Sequence, residues 1–335
     1  TTRGGEPLME DFAKKQSGES YVDYFVRLFD NKKIYGLTCD QIAELLNTES
    51  GQTLGESAYR KEFAAFNRGR NYEREIAERG VATRVLSISD LHFPFAKPIE
   101  TFSKYVGRVD ILQLNGDIFD CQSISKFSKS YRIPCIEELV EGRQYIIDLI
   151  DYIKPKKVIA NYGNHELRLG AYLANHLDSD LQELMPETAL DYIFVDGFYH
   201  YDRRNHIKTW FEPLRETFDD IEVVYTGEWF SQIGHVMFVH PKAFSSSPMK
   251  TAEKAVLWFR NEGYDFNCLV MAHTHRLGSY KIGNTTMYEQ GAACETQKMR
   301  YGDGALVNSQ QQGCIYVCLD KDGYNIESAT KLVAF

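Results

Sequence analysis

The chain has 335 residues, of which 43% are hydrophobic and 25% are charged, a composition typical of soluble globular proteins and not of disordered, fibrous or membrane chains. Its formal net charge of -9 excludes a protein that coats nucleic acid through bulk positive charge, although a local basic patch remains compatible with it. The chain has no apolar run of about 20 residues and its seven cysteines include no C-x-x-C pair, so we expect a reduced cytoplasmic protein without a membrane anchor, a disulfide framework or a thiolate zinc site.

The first part of the chain, residues 1–82, predicts a small all-helical domain. Its apolar residues recur at the three- and four-residue spacing of a helix face. They are Tyr21, Phe25 and Leu28, then Ile42, Leu45 and Leu46, and then Tyr59, Phe63 and Phe66. Thr38 and Gln41 have the spacing of a capping box at the start of the second helix. Three helices are therefore expected.

The second and third of these helices resemble a helix-turn-helix. The third helix, starting at Ser57, and its continuation carry the basic residues Arg60, Lys61, Arg68 and Arg70, which would bind DNA as a recognition helix does. The connection between Asn47 and Glu56 is longer than the usual turn of that motif. The alternative is a helical module for packing or homo-oligomerisation, with these basic side chains merely solvated.

After Arg84, short β-rich runs alternate with helical stretches, the pattern of an α/β domain, here residues 83–335. Strands are predicted at 84–89, 111–115, 158–161, 221–225, 235–240, 268–273, 285–290, 314–319 and 324–328, and helices at 136–152 and 248–261. Residues 167–231 are expected to be mixed helix and loop. We expect residues 299–312 to form a surface loop, with a mobile lid as the alternative.

Five of the predicted strands end in residues that can bind metal. The runs are 89–92, 115–120, 163–166, the single His240, and 271–275. A lone Asp after a strand is usually a cap and a lone His is usually a core residue, but ligands in open α/β sheets gather where strands end. The recurrence therefore predicts one shared site.

In this order the five motifs resemble those of the calcineurin-like metallophosphoesterases: D-x-H, G-D-x-x-D, G-N-H-[DE], a lone H, and G-H-x-H. Ala272 replaces the usual Gly, which is tolerable if its φ is negative, and Pro241 follows His240 where many members have Gly. The resemblance implies a two-sheet α/β sandwich flanked by helices, with a dinuclear metal centre. By this resemblance Asp90, His92, Asp117 and His275 hold one ion, and Asp117, Asn164, His240 and His273 hold the other.

The donor types agree with that expectation. A set of nitrogen and oxygen ligands without thiolate favours manganese, iron, zinc or nickel over calcium, and we expect two divalent ions, with manganese the first choice. Asp90 and Asp117 bring the only negative charges of the set, so two dications keep a surplus of about +2 that suits a phosphate ester.

The expected reaction is attack of a metal-bound hydroxide on phosphorus. By the resemblance, His165 is the general acid that protonates the leaving oxygen, and Asp120 orients it. For Asp120 the alternative is a helix-capping carboxylate.

The family implies phosphoester hydrolysis but not the substrate. The run 163–168 is similar to the G-N-H-E-x-R of Ser/Thr protein phosphatases, which makes Arg168 a candidate substrate ligand, but Cys121 and Gln122 stand where those enzymes carry Arg-Gly. The run 116–120 is more similar to the G-D-[LI]-F-D of double-strand-break repair nucleases.

We therefore predict a phosphodiesterase or nuclease acting on DNA. The N-terminal helices and a polar and aromatic run at 199–206 would bind the DNA. The substrate contacts expected in that run are His200, Arg203, Arg204 and His206. The alternatives are a phosphomonoesterase or nucleotide phosphatase, and a DNA-binding regulator that uses the fold as a scaffold.

Overall fold

A computed structural model describes residues 13–77, 79–126, 133–299 and 310–335. The chain divides into two compact units, with the boundary after Arg79. Among the described helices, none has the length and apolar character needed to cross a bilayer. The loop or lid expected at 299–312 lies largely outside the described residues.

The N-terminal unit contains the three predicted helices: α1 (Tyr21–Asp30), α2 (Cys39–Ser50) and α3 (Glu56–Ala77). The backbone N–H of Gln41 donates to Thr38 Oγ1 (3.2 Å), and the backbone N–H of Thr38 donates to Gln41 Oε1 (2.8 Å), which is the expected capping box. Since α2 continues to Ser50, the connection to α3 comprises only residues 51–55 and is shorter than expected.

The apolar stripes of the three helices meet in a core of their own. Its buried residues are Ala13, Tyr24, Phe25, Leu28, Ile42, Ala43, Leu46 and Tyr59. Burying large aromatic and aliphatic side chains provides most of the stabilisation of so small a bundle.

The second unit alternates strands and helices. Its strands are β1 (Thr83–Ile88), β2 (Ile111–Asn115), β3 (Lys157–Asn161), β4 (Phe198–Asp202), β5 (Ile207–Phe211), β6 (Glu222–Tyr225), β7 (Phe230–Ile233), β8 (Val236–Val239), β9 (Cys268–Met271), β10 (Leu277–Ile282), β11 (Thr285–Gln290), β12 (Gly313–Leu319) and β13 (Lys331–Ala334). Its α-helices are α4 (Cys135–Ile153), α5 (Leu167–Ala174), α6 (Ser179–Gln182), α7 (Ala189–Asp191), α8 (Leu214–Thr217), α9 (Lys250–Asn261) and α10 (Thr296–Met299). Short 3₁₀ segments at Ile99–Tyr105 and Gln122–Ile124 and a π-helical turn at Tyr192–Asp196 complete the described elements.

The strands form two large mixed sheets and a hairpin. The first sheet has the order β13-β12-β1-β2-β3-β6, in which β1, β2, β3 and β6 are parallel. The second has the order β10-β11-β9-β8-β7, in which β11, β9 and β8 are parallel. The hairpin pairs β4 with β5.

The two sheets pack face to face, because one apolar cluster draws buried residues from both: Val85, Ile315 and Val317 from the first sheet, and Phe238 and Val270 from the second. Helix α4 packs on the outer face of the first sheet, and α9 packs on the outer face of the second. The predicted two-sheet α/β sandwich flanked by helices, with an all-helical segment before it, is confirmed.

Two local predictions were wrong. Residues 324–328 are not a strand, because the Asp320 carboxylate accepts the backbone N–H groups of Asp322 and Tyr324 and holds a turn there; the last strand is instead β13. Residues 198–211 form the β4–β5 hairpin in a region expected to be helix and loop. Its turn is built on Asp202, whose carboxylate accepts the N–H groups of Arg204 and Asn205.

Candidate metal centre

Five strand ends bring the predicted metal ligands to one edge of the sandwich. They follow β1, β2 and β3 in one sheet and β8 and β9 in the other. Asp90 N–H donates to the Gly116 carbonyl (3.0 Å) and His92 N–H donates to the Asp117 carbonyl (2.9 Å), so the first two loops are held together. His273 N–H donates to Asp90 Oδ2 (3.2 Å), which joins the loops of the two sheets.

Six of the predicted ligands form two groups. Within each group, the ligand atoms all lie within 4.8 Å of one another. One contains Asp90, His92 and His275, and the other contains Asp117, His240 and His273. Asp90 Oδ1 lies 3.0 Å from His275 Nε2, and Asp117 Oδ2 lies 3.2 Å from His240 Nε2. Asp117 Oδ2 also lies 3.9 Å from His92 Nε2, so this carboxylate faces both groups.

The backbone of these loops is strained. Five of the seven predicted ligands have a positive φ: Asp90 (51°), His92 (43°), Asp117 (48°), His273 (69°) and His275 (50°). Residues other than glycine adopt this region rarely and at a cost, and they keep it where the surrounding structure over-determines it, typically at functional sites. Ala272 keeps a negative φ, which meets the condition for replacing the usual Gly.

Two glycines let the loops approach each other closely. A Cβ at Gly116 would lie 2.5 Å from His240 Nδ1, and a Cβ at Gly163 would lie 2.5 Å from the backbone N of Asp117. No side chain fits at either position without displacing a predicted ligand. The Gly residues of these two motifs are therefore required by space.

The buried Glu166 connects the loops after β2 and β3. Its Oε1 accepts the N–H groups of Ile118 (2.6 Å) and Phe119 (3.0 Å). Its Oε2 accepts those of Asp117 (3.0 Å) and Gly163 (2.7 Å). Burial and the nearby Asp117 raise the pKa of Glu166. The sequence analysis quoted Glu166 within its motif but gave it no role.

Two histidines are oriented by groups behind them. His240 Nδ1 lies 2.8 Å from the carbonyl of Asn115; because a carbonyl only accepts, Nδ1 carries the proton and Nε2 faces the cluster. His92 Nδ1 lies 3.5 Å from Asp120 Oδ1, with its Nε2 towards His275 (3.1 Å). Such partners fix the ring and raise the basicity of a metal-binding imidazole.

The charges in the cluster shift the pKa values of its acidic and basic members in opposite directions. Although burial opposes the charge of Asp90, His275 and His240 lower its pKa to about 2. Although burial also opposes a charged His240, Asp117 and Asp90 raise its pKa to about 10. In the metal-free chain at neutral pH the carboxylates are thus ionised and His240 holds a proton.

His92 and His273, two of the other three histidine ligands, are neutral at that pH. Burial and then the charge of His165 lower the pKa of His92 to about 4, and burial and then His240 lower the pKa of His273 to about 4. A neutral imidazole is the form that binds a cation. Both residues are therefore in the form that can bind a cation at neutral pH.

The donor set fits divalent cations. Within the described part of the chain, the buried atoms Asn164 Oδ1 and His273 Nε2 have no hydrogen-bond partner, and a buried polar atom of this kind is costly unless a ligand satisfies it. Both atoms belong to the set expected for the second ion. The mixture of imidazole nitrogen, carboxylate and amide oxygen is one that transition-metal dications accept.

The predicted acid His165 lies at the same place. Its Nδ1 is 3.0 Å from Asp120 Oδ1, and its Nε2 is 2.8 Å from Arg168 Nη2. A guanidinium only donates, so Nε2 accepts here and Nδ1 carries the proton. His165 also belongs to a third group, with His92 and Asp117, that could hold a cation.

Arg168, predicted as a substrate ligand, thus borders the cluster, and it also donates to the Asp120 carbonyl. The other four predicted substrate contacts lie on or next to the β4–β5 hairpin. His200 Nε2 is 3.2 Å from Glu137 Oε1, His206 Nδ1 is 3.0 Å from the Tyr201 hydroxyl, and Arg203 and Arg204 are exposed in the turn. Of the described residues that form possible metal-binding groups, none is His200 or His206.

The predicted DNA-binding residues all lie on α3. Arg70 forms an ion pair with Asp30 (2.7 Å), and Arg60 lies 3.4 Å from Glu56. Lys61 and Arg68 are exposed.

Two clefts beside the cluster were missed by the sequence analysis. The aromatic cleft, of about 440 Å³, is lined by Tyr162, Trp229, His240, Lys242, Lys254 and Trp258, among others. The polar cleft, of about 500 Å³, includes Lys126, Asn164, Arg168, Tyr172, His176 and Lys242. A tryptophan on the polar side of the predicted helix 248–261 was the feature of the sequence that could have indicated the aromatic cleft.

Comparison with known proteins gives two family matches. A family described as calcineurin-like phosphoesterase matches residues 83–277, more than half of the chain. A family described as the YonJ N-terminal domain matches residues 10–77. The SPbeta prophage-derived uncharacterized protein YonJ of Bacillus subtilis is 45% identical over 62 residues, a match that spans 18% of this chain and 15% of that relative's length.

Three solved structures are also similar to this chain. An archaeal phosphodiesterase is 11% identical, with 75% of this chain and 99% of that one covered and a TM-score of 0.36. Vacuolar protein sorting 29 from Cryptosporidium parvum is 13% identical, with 76% and 98% covered and a TM-score of 0.36. A metallophosphoesterase from Sphaerobacter thermophilus is 12% identical, with 74% and 85% covered and a TM-score of 0.31.

Proposed function

The chain belongs to the calcineurin-like phosphoesterase family, and from this premise we propose that it is a phosphodiesterase that uses two divalent cations to cleave DNA. One observation carries the proposal. Two groups of nitrogen and oxygen donors meet at Asp117, and the second group includes His273 Nε2, which has no hydrogen-bond partner among the described residues.

The seven residues divide between two cation positions. Asp90, His92, Asp117 and His275 would hold one ion, and Asp117, Asn164, His240 and His273 the other, with manganese the first choice and iron, zinc or nickel the alternatives. Bound there, the ions supply Lewis acidity towards the phosphoryl group and towards a water molecule.

Protein groups supply the proton for the leaving oxygen. We assign this role to His165, whose Nδ1 is held by Asp120 at 3.0 Å. Its Nε2 accepts from Arg168, so this nitrogen must exchange its partner before it can donate a proton. Arg168 is suited to move its guanidinium onto the phosphoryl oxygens of an incoming ester, because it binds such oxygens in a bidentate manner. After that movement, Nε2 can take up a proton and then donate it to the leaving oxygen.

DNA is proposed as the substrate on two grounds. The run 116–120 is similar to that of repair nucleases, and α3 exposes Lys61 and Arg68. Since Arg70 is paired with Asp30 and Arg60 with Glu56, the proposed recognition helix depends mainly on Lys61 and Arg68. The hairpin arginines Arg203 and Arg204 add a second exposed basic segment.

The test starts from protein stripped with a chelator and refilled with manganese. We expect it to hydrolyse bis(p-nitrophenyl) phosphate and to leave p-nitrophenyl phosphate largely intact, and Asp117→Asn should abolish turnover. The reverse preference would make the protein a phosphomonoesterase. No turnover of either ester with manganese, iron, zinc or nickel would make the fold a scaffold.

A second experiment concerns DNA. Removing residues 1–79 should weaken binding to DNA, measured by fluorescence anisotropy, while hydrolysis of bis(p-nitrophenyl) phosphate continues. Replacing Lys61 and Arg68 by Gln in the full chain is the matched variant. Unchanged DNA affinity in both would remove the helix-turn-helix from the proposal.

A further inference from the structure

The aromatic cleft opens directly beside the candidate metal centre. It is lined by His240, a predicted ligand, together with Tyr162, Trp229 and Trp258. The backbone N–H of His240 donates to the carbonyl of Trp229 (2.8 Å). A group bound in the cleft would therefore lie next to the second cation position.

Trp258 is held rigidly although it is exposed. The residue is 44% exposed, and its ring centroid lies 5.3 Å from that of Trp229 and 4.9 Å from that of the buried Phe259. Exposing an indole to water is unfavourable. A ring that two neighbours already fix can, however, stack against a bound group with little further loss of conformational entropy. The neighbouring Leu257, 51% exposed, does not line the cleft.

The charge around the cleft is opposite to that of the chain. Lys242 and Lys254 stand at its rim, and among the described residues neither takes part in an ion pair, unlike Lys250, which contacts Glu253 at 2.6 Å. The polar cleft shares Lys242 and adds Lys126 and Arg168. None of the described residues that line either cleft is acidic, although the chain as a whole has a net charge of -9.

From this placement we infer that the aromatic cleft is a subsite for one nucleobase of a single-stranded nucleic acid, stacked on Trp258, with the neighbouring phosphates on the lysines and the metal centre. The inference rests on the proposed function and specifies its substrate. A base can enter such a cleft only when it is not stacked in a duplex, and stacking on an aromatic ring beside a basic groove is how proteins bind single strands without reading sequence.

The test uses the full chain in the presence of a chelator, so that binding is measured without cleavage. The probe is a single-stranded oligothymidylate of eight nucleotides, titrated while tryptophan fluorescence is recorded. Two of the chain's three tryptophans, Trp229 and Trp258, line the cleft, and stacking should quench their fluorescence. An abasic strand of equal length, the same sequence as a duplex, and thymidine monophosphate form the other arms.

We expect the single strand to quench the fluorescence and to bind more tightly than the abasic strand, whereas the duplex, which the N-terminal helices are proposed to bind, should not quench it. Trp258→Ala should weaken binding about 5- to 150-fold, the range of one lost base stack, while Trp258→Phe restores much of it. Leu257→Ala is the matched control and should bind as the parent does. Lys254→Gln should reduce the salt dependence of log K by about 0.7, the contribution of one phosphate contact in a single strand.

Three outcomes would overturn the inference: equal binding of the abasic strand, equal quenching by the duplex, or unchanged affinity in Trp258→Ala. Binding of thymidine monophosphate as tight as that of the oligonucleotide would assign the cleft to free nucleotides instead. Hydrolysis of bis(p-nitrophenyl) phosphate by the parent protein, measured separately, decides the proposed function. A diesterase that fails the binding test therefore loses only the nucleobase subsite.

Discussion

Glu166 illustrates how one buried side chain can set the geometry of a metal centre that it does not ligate. Its two oxygens accept four backbone N–H groups from the loops after β2 and β3. In Glu166→Gln an amide donor faces at least one pair of these N–H groups. Leaving buried donors unpaired costs about 1–3 kcal/mol of stability, and a displaced supporting group typically costs about 10- to 100-fold in metal affinity. Thermal unfolding and a metal titration measure the two effects.

Glu138→Gln is the control for that prediction. Glu138 is also buried and accepts the N–H of Cys121 (2.6 Å), but burial raises its pKa to about 8, so at pH 7 it is largely the neutral acid that Gln resembles. We expect a smaller loss of metal affinity than in Glu166→Gln. Equal losses would mean that the four hydrogen bonds of Glu166 have no special part in holding the centre.

His165 provides a prediction that separates two roles. A general acid matters most when the leaving oxygen is basic, so His165→Asn should slow cleavage of an oligonucleotide by about 10²- to 10⁴-fold and change hydrolysis of bis(p-nitrophenyl) phosphate much less, because nitrophenolate leaves without a proton. If His165 is instead a cation ligand, as its group with His92 and Asp117 permits, both rates and the metal affinity fall together. Steady-state kinetics on the two substrates with a parallel metal titration decide between these results.

At the scale of the elements, the loops that carry the ligands depend on close backbone approach. In Gly163→Ala the new methyl group would press on the backbone of Asp117, and overpacking of this kind costs about 1–3 kcal/mol. We expect weaker metal binding as well, since Asp117 faces both donor groups. In Gly278→Ala, the matched control in β10, the nearest atom is Met249 Sδ at 3.5 Å, an ordinary contact. If both variants bind metal as the parent does, the loop packing around Gly163 is less tight than the structure shows.

A strand or helix could be predicted from the sequence where its own residue types determine it. β2 and β11 were predicted to the residue, because apolar, aromatic or β-branched residues occupy most positions of each short run. The β4–β5 hairpin was missed because its residues are mostly exposed, so no alternation marks it and its turn depends on the Asp202 side chain. The supposed strand at 324–328 failed because its β-rich composition was overridden by the Asp320 turn.

The same distinction applies to the site. The strand-end motifs indicated which side chains would converge, because each predicted ligand lies within four residues after the end of its strand. The family resemblance implied that Asp120 orients His165, from which it lies 3.0 Å away. No motif indicated that Asp120 also lies near His92 (3.5 Å), or that Arg168 contacts Nε2 of the expected acid. The contact between Asp120 and His92 joins loops distant in sequence, and side-chain types alone specify neither this contact nor that of Arg168.

At the scale of the whole molecule, the histidine cluster ties folding to pH in the metal-free chain. The pKa of His240 is raised to about 10 from an ordinary value near 6.5, so the stability it contributes is complete below pH 6.5 and is lost as the pH rises towards 10. The pKa values of His92 and His273 are lowered to about 4. Between pH 6.5 and 4 the unfolded chain therefore binds the extra protons at these two residues, and stability falls towards acid.

We consequently expect the melting temperature of the metal-free protein to be highest near pH 6.5 and to fall on both sides. His240→Gln should flatten the alkaline side, while His176→Gln, an exposed histidine outside the metal-binding groups, should leave the profile unchanged. Bound cations reverse the alkaline trend, because binding displaces the proton from His240 and so strengthens as the pH rises. Differential scanning calorimetry from pH 4 to 10, with chelator and with manganese, checks both signs. A metal-free profile that keeps rising above pH 7 would mean that Asp90 and Asp117 do not hold His240 in its protonated form.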